Sequence, residues 1–210
     1  MSKLRFDVSV SADGYMAGAN QTVDNPLGEG GEALHDWFVE LEIFRTVHGE
    51  TGGVRNASTP LVEESIANVG AGIMGRNMFG GGPGPWGENP WRGWWGEDPP
   101  FHHELFVLTH HARPTLTLSD TRFTFVTDGI HAAYERAKAA AGGKDIKIHG
   151  GAHVIRQYLA AGLVDEFELH VAPLTLGAGE RPLDVPDLKL ERLRVVEAPG
   201  VTHVKYRVLK

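Results

Sequence analysis

The sequence contains no cysteine among its 210 residues. A disulfide framework, a thiolate metal site and a catalytic thiol are therefore excluded, which is compatible with a reducing compartment. No stretch approaches the roughly 18 apolar residues of a membrane span. The first ten residues, MSKLRFDVSV, also lack the long apolar run of a signal peptide. We therefore expect a cytoplasmic protein with no membrane partner.

Positive charge is scarce as well. The formal net charge is −7, the sequence pI is about 5.9, and no cluster of basic residues is present. Nucleic-acid-binding domains usually carry a basic face, so we expect no nucleic-acid partner. The length, with 41% hydrophobic and 22% charged residues, is typical of one globular domain with a substantial core. We expect residues 1–210 to form a single domain.

The segment 145–159 carries a glycine pair but neither the GxGxxG fingerprint nor a Walker motif. Ile146 and Ile148 alternate with polar residues, as in a short strand, and Gly150-Gly151 interrupts this pattern. A helical pattern follows, with an apolar face made of Val154, Ile155, Tyr158 and Leu159. The glycine pair is either only a tight turn or a turn that presents backbone N–H groups and a helix dipole to a phosphate. The residues alone leave both interpretations open.

Alternating and apolar patterns predict the secondary structure of the rest of the chain. The predicted strands are 4–10, 71–75, 105–109, 123–127, 145–149, 166–171, 190–197 and 201–209. The predicted helices are 32–45, one that follows an N-cap at Thr59 and stops at Gly70, 130–141, and one that follows Gly151. Strands and helices alternate in the middle of the chain. We therefore expect an α/β fold with a mainly parallel sheet, helices on both faces and a C-terminal antiparallel hairpin.

A loop at 80–100 is rich in glycine and proline and also contains Trp86, Trp91, Trp94 and Trp95. Tryptophans need burial, so we expect the loop to fold over something. It either covers a substrate crevice or a dimer partner, or packs on the domain's own surface and covers a sheet edge.

Four segments together resemble the dihydrofolate reductase-like family, and most closely the reductase domain of riboflavin biosynthesis and its stand-alone relatives. The segments are SADGYMAG, GIMGRNMF, VLTHHARP and IHGGAHVIRQYLAAGLVDEFELHVAPLTLGAGERPL. The resemblance covers nearly all of the chain, with 19–58 and 80–104 as its least matched parts. It implies a three-layer α/β fold, NADPH as the cofactor, a small-molecule substrate and a homodimer.

The resemblance also assigns a cofactor site. In the family, the arginine after the strand-ending glycine meets the 2′-phosphate region of the cofactor, and here that residue is Arg76. A guanidinium can bind a phosphate through two parallel charge-assisted hydrogen bonds, whereas a surface arginine at a helix start would oppose the dipole. The implied cofactor-binding residues are Gly75, Arg76, Asn77, Thr109, His110, Gly150, Gly151, Ala152, His153 and Val154.

The candidate substrate-binding residues match the motifs of the family less closely than the cofactor-binding residues do. Ser11 and Asp13 match the riboflavin reductase motif that faces the substrate, although an Asp-Gly pair is also a common turn. Asp36 lies on the helix where folate reductases place their pteridine-binding carboxylate, and Trp37 follows it. We expect Asp13 and Asp36 to be catalytic and Ser11, Asp13 and Trp37 to bind the substrate. Met78 stands where dihydrofolate reductases commonly have threonine, so the identity of the substrate stays open.

Other chemistries have weaker support in the sequence. The pairs His102-His103 and His110-His111 suggest a metal, but neighbours on a strand point to opposite faces and no HExxH helix is present. We therefore expect no metal site. A serine hydrolase lacks its GxSxG elbow. The favoured function is an NADPH-dependent reductase of the riboflavin type; the alternatives are a pteridine reductase and a nucleotide-binding module without turnover.

Overall fold

The computed structural model describes residues 2–210, which divide into two compact units. The first unit contains the chain up to Phe6 together with Asn68–Val164. The second unit contains Asp7–Ala67 and Asp165–Lys210. The prediction of a single domain over 1–210 stays a prediction.

Residues 2–210 form eleven strands, one 3₁₀ helix and six α-helices. They are β1 (Leu4–Ser11), β2 (Ala17–Gly18), a 3₁₀ helix (Glu32–His35), α1 (Asp36–Val39), α2 (Glu42–Val47), α3 (Thr59–Ile66), β3 (Val69–Gly75), α4 (Arg76–Phe79), β4 (Glu104–Leu108), β5 (Leu116–Leu118), β6 (Thr121–Val126), α5 (Gly129–Ala140), β7 (Asp145–Gly150), α6 (Ala152–Ala160), β8 (Glu166–Ala172), β9 (Gly179–Glu180), β10 (Leu190–Ala198) and β11 (Val201–Val208). All eight predicted strands are present, and the α/β fold class with a mainly parallel sheet is confirmed.

The first unit is built on a sheet with the strand order β1–β7–β3–β4–β6–β5. Its strands run parallel except β5, which pairs with β6 in an antiparallel hairpin. Helix α5 packs against β3 and β4, and α6 packs against β7 and β3. Ile73 and Ile148, in register on β3 and β7, are fully buried. The predicted short strands are thus the centre of this core.

The second unit holds an antiparallel group of strands in the order β10–β11–β8, and β8 is the neighbour of β1. The hairpin β10–β11 was predicted and is confirmed, and β11 also pairs antiparallel with β8. Trp37, Leu41, Val62 and Val201 form its small hydrophobic cluster. The two-residue strands β2 and β9 pair with each other, and no sequence pattern predicted them.

The predicted helix 32–45 is wrong as one continuous element. Its apolar spacing is helical, but the chain breaks at Leu41, whose backbone is extended (φ −72°, ψ 143°). The cause lies in a residue outside the helix. The N–H of Val54 donates to the carbonyl of Glu40, and the carbonyl of Val54 accepts from Glu42. These bonds replace the helical ladder where the helix would continue.

Two smaller corrections concern element ends. Helix α3 begins at Thr59 itself and ends at Ile66, so its N-cap is Ser58 and not Thr59. The predicted stop at Gly70 is too late because Asn68 adopts a left-handed backbone (φ 56°) and β3 has already begun at Val69. Strand β5 was not predicted.

Within residues 2–210, no helix has the length and apolar character needed to cross a membrane.

Candidate functional site

The carboxyl ends of β3 and β7 meet at glycines in the first unit. Met74 is in register with Gly150, so Gly75 and Gly151 follow directly on neighbouring parallel strands. A Cβ on Gly75 would lie 2.8 Å from Cγ2 of Val154. Gly75 therefore permits the close approach of α6 to β3. The structure brings these predicted residues together.

Helix α6 presents an uncapped N-terminus at this point. Gly151 is its N-cap residue and no side chain caps the helix. A Cβ built on Gly151 would meet no atom within 4 Å, so the turn faces open space. Ala152 and Val154 are buried beneath the turn, and His153 is exposed. Uncapped N–H groups at the positive end of a helix dipole suit an anion such as a phosphate.

Arg76 opens α4 directly after Gly75. Its Nη1 donates to Oγ1 of Thr109 at 3.5 Å, and its Nη2 donates to the carbonyl of Gly81 at 3.4 Å. Both bonds are long for a guanidinium. Burial lowers the pKa of Arg76 from its ordinary value, since desolvation disfavours the charged form. The arginine is thus partly buried with weakly used donors.

Thr109 and Asn77 occupy different environments. Thr109 is buried, its N–H donates to the carbonyl of Val126, and its Oγ1 accepts from the N–H of His111. It therefore fixes the segment that follows β4 beside Arg76. Asn77 and His110 are exposed.

Two residues near Arg76 were missed by the sequence analysis. The guanidinium carbon of Arg76 lies 3.1 Å from the centroid of the Trp86 ring, and that of Arg113 lies 4.6 Å from the same centroid. The indole N–H of Trp86 donates to the carbonyl of His111 at 2.7 Å. The only available signal was the position of Arg113 inside VLTHHARP, since Trp86 lies in the least matched part of the chain.

The loop 80–100 packs on the first unit itself. Trp86, Trp91 and Trp95 lie against the buried cluster that contains Phe79 and Phe123. The indole N–H groups of Trp91 and Trp94 donate to the carbonyls of Phe79 and Met78. The loop therefore packs on its own domain, and its predicted role as a cover of a substrate crevice or a dimer partner stays a prediction.

In the second unit, Asp13 and Ser11 form a hydrogen-bonded turn after β1. Oδ1 of Asp13 accepts from the Ser11 hydroxyl and from the N–H of Leu176, and Oδ2 accepts from the N–H of Gly177 at 2.7 Å. The Ser11 hydroxyl first, and the two backbone N–H groups next, lower the pKa of Asp13 to about 2. A carboxyl group with this pKa stays ionised at neutral pH and is poorly suited to donate a proton.

Asp36 and Trp37 are adjacent in α1 but differ in exposure. Asp36 is exposed. Trp37 is buried, its indole N–H donates to Oγ of Ser9 at 3.2 Å, and its ring packs against His170 and His203. The structure thus uses Trp37 in the interior of the second unit, and its predicted role in substrate binding stays a prediction.

One further group of possible metal ligands contains a histidine and two aspartates. The donor atoms of Asp98, His102 and Asp120 lie within 4.8 Å of one another, and all three residues are exposed. Nδ1 of His102 lies 2.7 Å from Oδ1 of Asp120, the distance of an ordinary hydrogen bond. Such a group has suitable ligand types but no burial that would favour an ion over water.

The family model described as the RibD C-terminal domain matches residues 2–203 of this chain. Among curated proteins, the uncharacterized protein YyaP of Bacillus subtilis (strain 168) is 33% identical over an alignment of 119 residues that covers 52% of this chain and 62% of YyaP. The matched part therefore spans less than two thirds of the length of this relative.

Two solved structures share the fold. The crystal structure of a putative riboflavin biosynthesis protein from Shewanella sp. PV-4 has a TM-score of 0.65, with 16% identity and 99% of each chain covered. Dihydrofolate reductase from Enterococcus faecalis, complexed with NADP(H) and RAB-propyl, has a TM-score of 0.51, with 12% identity and 99% of this chain and 97% of that chain covered. The predicted dihydrofolate reductase-like fold is thus confirmed.

Proposed function

Because this chain belongs to the RibD C-terminal domain family, we propose that it is an NADPH-dependent reductase that transfers a hydride to a small heterocyclic substrate. The proposed activity is most like that of 5-amino-6-(5-phosphoribosylamino)uracil reductase in riboflavin biosynthesis. The single observation that carries the proposal is the convergence of Gly75, Gly151 and Val154 at the uncapped N-terminus of α6.

The first unit fits a cofactor that carries several phosphates. The open side of Gly151 leaves room for a pyrophosphate beside the N–H groups of α6, where the helix dipole favours negative charge. Arg76 follows the neighbouring strand and supplies a cation for a third phosphate. These two anion-binding features at the carboxyl ends of neighbouring parallel strands fit the nucleotide crevice of an α/β sheet.

When bound, NADPH supplies the hydride from its nicotinamide ring. The residues of this chain bind and orient the cofactor, and the reaction gains from this positioning. Thr109 keeps the segment after β4 against Arg76, and Val154 sets the distance between α6 and β3.

The second unit carries the residues that we assign to the substrate. Asp13 holds the turn after β1 against the segment at Leu176-Gly177, so we assign it a positioning role rather than proton transfer. Ser11 supports Asp13 through their hydrogen bond. Asp36 is an exposed carboxylate that could accept a hydrogen bond from a heterocycle, as the resemblance to folate reductases implies.

The test is the oxidation of NADPH by the purified chain with two substrates in parallel. The proposal expects turnover with the ribosylaminopyrimidine and none with dihydrofolate. Turnover with dihydrofolate instead would make the chain a pteridine reductase, the second candidate, which the NADP(H)-bound neighbour favours. Tight NADPH binding without turnover of either substrate would indicate a nucleotide-binding module, and failure to bind NADPH would contradict the proposal.

We also propose a homodimer, on the ground of the family resemblance. Light scattering after size-exclusion chromatography should give a mass of twice 22.8 kDa. A mass of 22.8 kDa at micromolar concentration would contradict this assembly.

A further inference from the structure

Two arginines of the first unit share one tryptophan ring. The guanidinium carbons of Arg76 and Arg113 lie 3.1 and 4.6 Å from the centroid of Trp86, both within the range of a cation–π interaction. Arg113 also lies 4.5 Å from the ring of Phe125. The Trp86 ring is itself held by its hydrogen bond to the carbonyl of His111. The aromatic ring therefore fixes the positions of both guanidiniums.

The charges of these arginines are not neutralised within residues 2–210. All their hydrogen bonds go to neutral groups, namely Oγ1 of Thr109 and the carbonyls of Gly81 and Trp91. Burial lowers the pKa of both guanidiniums, and the charge of Arg76 lowers that of Arg113 further. Two like charges held near each other without a carboxylate make a site for an anion.

The edges of both guanidiniums keep donors for such an anion. Stacking on Trp86 uses the face of a guanidinium, whereas hydrogen bonding uses its edge, so the two interactions are compatible. Nε of Arg76 and Nε of Arg113 are buried and have no hydrogen-bond partner in the described chain. The outer donors are less fully used: both bonds of Arg76 are long, and Nη2 of Arg113 makes no hydrogen bond within residues 2–210, so each guanidinium keeps an Nη donor for an anion.

A cleft of about 580 Å³ lies beside Arg113, a size typical of small-molecule sites. One wall comes from the loop 80–100 and the other from the segment after β4. The lining residues are Pro85, Trp86, Gly87, Pro90, His110, His111, Ala112, Arg113, Pro114, Thr115 and Leu116. This lining contains no aspartate or glutamate, and Trp86 gives it an aromatic surface. The cleft therefore suits an anion attached to an aromatic base.

We propose that Arg113 acts with Arg76 to bind the 2′-phosphate of NADPH, and that Trp86 is the positioning residue for both guanidiniums. This inference rests on the proposed function. A phosphate monoester carries a charge of about −1.5 to −2 at neutral pH, so two guanidiniums neutralise it where one would not. Arg113 thereby determines the choice of NADPH over NADH, which differ only in this phosphate.

The test is calorimetric titration of the full chain with adenosine 2′,5′-bisphosphate and with 5′-AMP. Arg113→Gln should weaken binding of the bisphosphate by about tenfold or more, because a charge-assisted hydrogen bond is lost, and leave 5′-AMP unchanged. Arg113→Lys, which keeps the charge but not the planar fork, should show a smaller loss. Arg122→Gln removes an exposed arginine of β6 and serves as the matched control.

Trp86→Leu should likewise reduce the preference for the bisphosphate over 5′-AMP, whereas Trp94→Leu in the same loop should not. A purely structural role of Trp86 would change the affinities for both nucleotides together. If Arg113→Gln binds the bisphosphate with wild-type affinity, the inference is overturned and the proposed function still stands. If Arg113→Gln does not fold, wild-type affinity for the bisphosphate in Arg113→Lys overturns the inference instead. A wild-type chain that binds neither NADPH nor the bisphosphate overturns both.

Discussion

Nδ1 of His170 lies 2.7 Å from Nδ1 of His203 inside the second unit, and both side chains are buried. One of these two nitrogens must donate a proton and the other must accept it. Nε2 of His203 lies 2.9 Å from Oγ of Ser58, and Nε2 of His170 lies 3.8 Å from Oδ2 of Asp7. The pair is thus part of a chain of polar contacts that runs from Ser58 through His203 and His170 to Asp7.

The first prediction is a loss of stability in mild acid. Burial first, and the charges of His170 and Arg194 next, lower the pKa of His203 to about 4, against 6.5 for an ordinary histidine. The unfolded chain therefore binds the proton first, so stability is complete above about pH 6.5 and falls as the pH approaches 4. Urea unfolding should show a loss of about 2 kcal/mol from this residue between pH 7 and pH 4.5.

A histidine variant identifies the source of this loss. His203→Gln should reduce the pH dependence of the unfolding free energy, whereas His153→Gln, at an exposed position, should not. Burial also lowers the pKa of His103 in the first unit to about 4, so part of the pH dependence should remain in the first variant. An unchanged pH dependence in His203→Gln would show that this histidine is not responsible.

The second prediction concerns Gly151. Its backbone (φ −75°, ψ −170°) suits alanine, and a Cβ there meets no atom within 4 Å. Gly151→Ala should therefore keep the melting temperature but weaken NADPH binding by about tenfold, because the methyl group occupies the space assigned to the pyrophosphate. Thermal denaturation and calorimetry on the same sample check both parts. Unchanged NADPH affinity in this variant would show that the pyrophosphate does not bind at this turn.

The third prediction concerns Gly75, which is a matched counterpart to Gly151. A Cβ on Gly75 would lie 2.8 Å from Cγ2 of Val154, so Gly75→Ala should destabilise the fold by about 1–3 kcal/mol through overpacking. Val154→Ala in the same chain should restore part of that loss by removing the opposing methyl group. Urea unfolding of the two single variants and the double variant gives the coupling energy. Additive effects would mean that the two side chains do not meet.

The fourth prediction concerns Asp13. In Asp13→Asn, the amide nitrogen would replace an oxygen that accepts from a hydroxyl or backbone N–H, so the turn with Leu176-Gly177 should loosen. Turnover of the pyrimidine substrate should fall more than NADPH affinity, since all these contacts lie in the second unit. Asp24→Asn, at an exposed position of the same unit, is the control. Wild-type turnover in Asp13→Asn would show that Asp13 has no role at the substrate site.

Most of the secondary structure of the first unit could be predicted from local sequence patterns. The alternation at Ile146 and Ile148, interrupted by the glycine pair, predicted β7 and the start of α6 because the residues that decide these elements are neighbours in sequence. The break at Leu41 could not be predicted in this way. It depends on bonds to Val54, and the positive φ of Gly53 brings that segment back to the helix.

The residues of the candidate site also divide into some that could be predicted from the sequence and some that could not. Gly75, Arg76 and Thr109 could be found through the family resemblance, because the motifs that carry it lie at the ends of strands that are recognisable in the sequence. Trp86 and Arg113 could not, because their relation to Arg76 arises only when the loop 80–100 folds back on the first unit. The sequence left open that the tryptophan-rich loop packs on its own domain, but no pattern in it indicates which arginine the loop would contact.

The central claim, that the first unit binds NADPH through its 2′-phosphate, is tested most directly by titrating NADPH and NADH into wild-type protein and Arg76→Ala. Arg76 is predicted to contribute about 1.5–3 kcal/mol to NADPH binding through charge-assisted hydrogen bonds. The variant should therefore bind NADPH about ten- to a hundred-fold more weakly and NADH as tightly as the wild type, while Arg122→Ala changes neither. Equal losses for the two cofactors would contradict the claim and assign Arg76 to the fold alone.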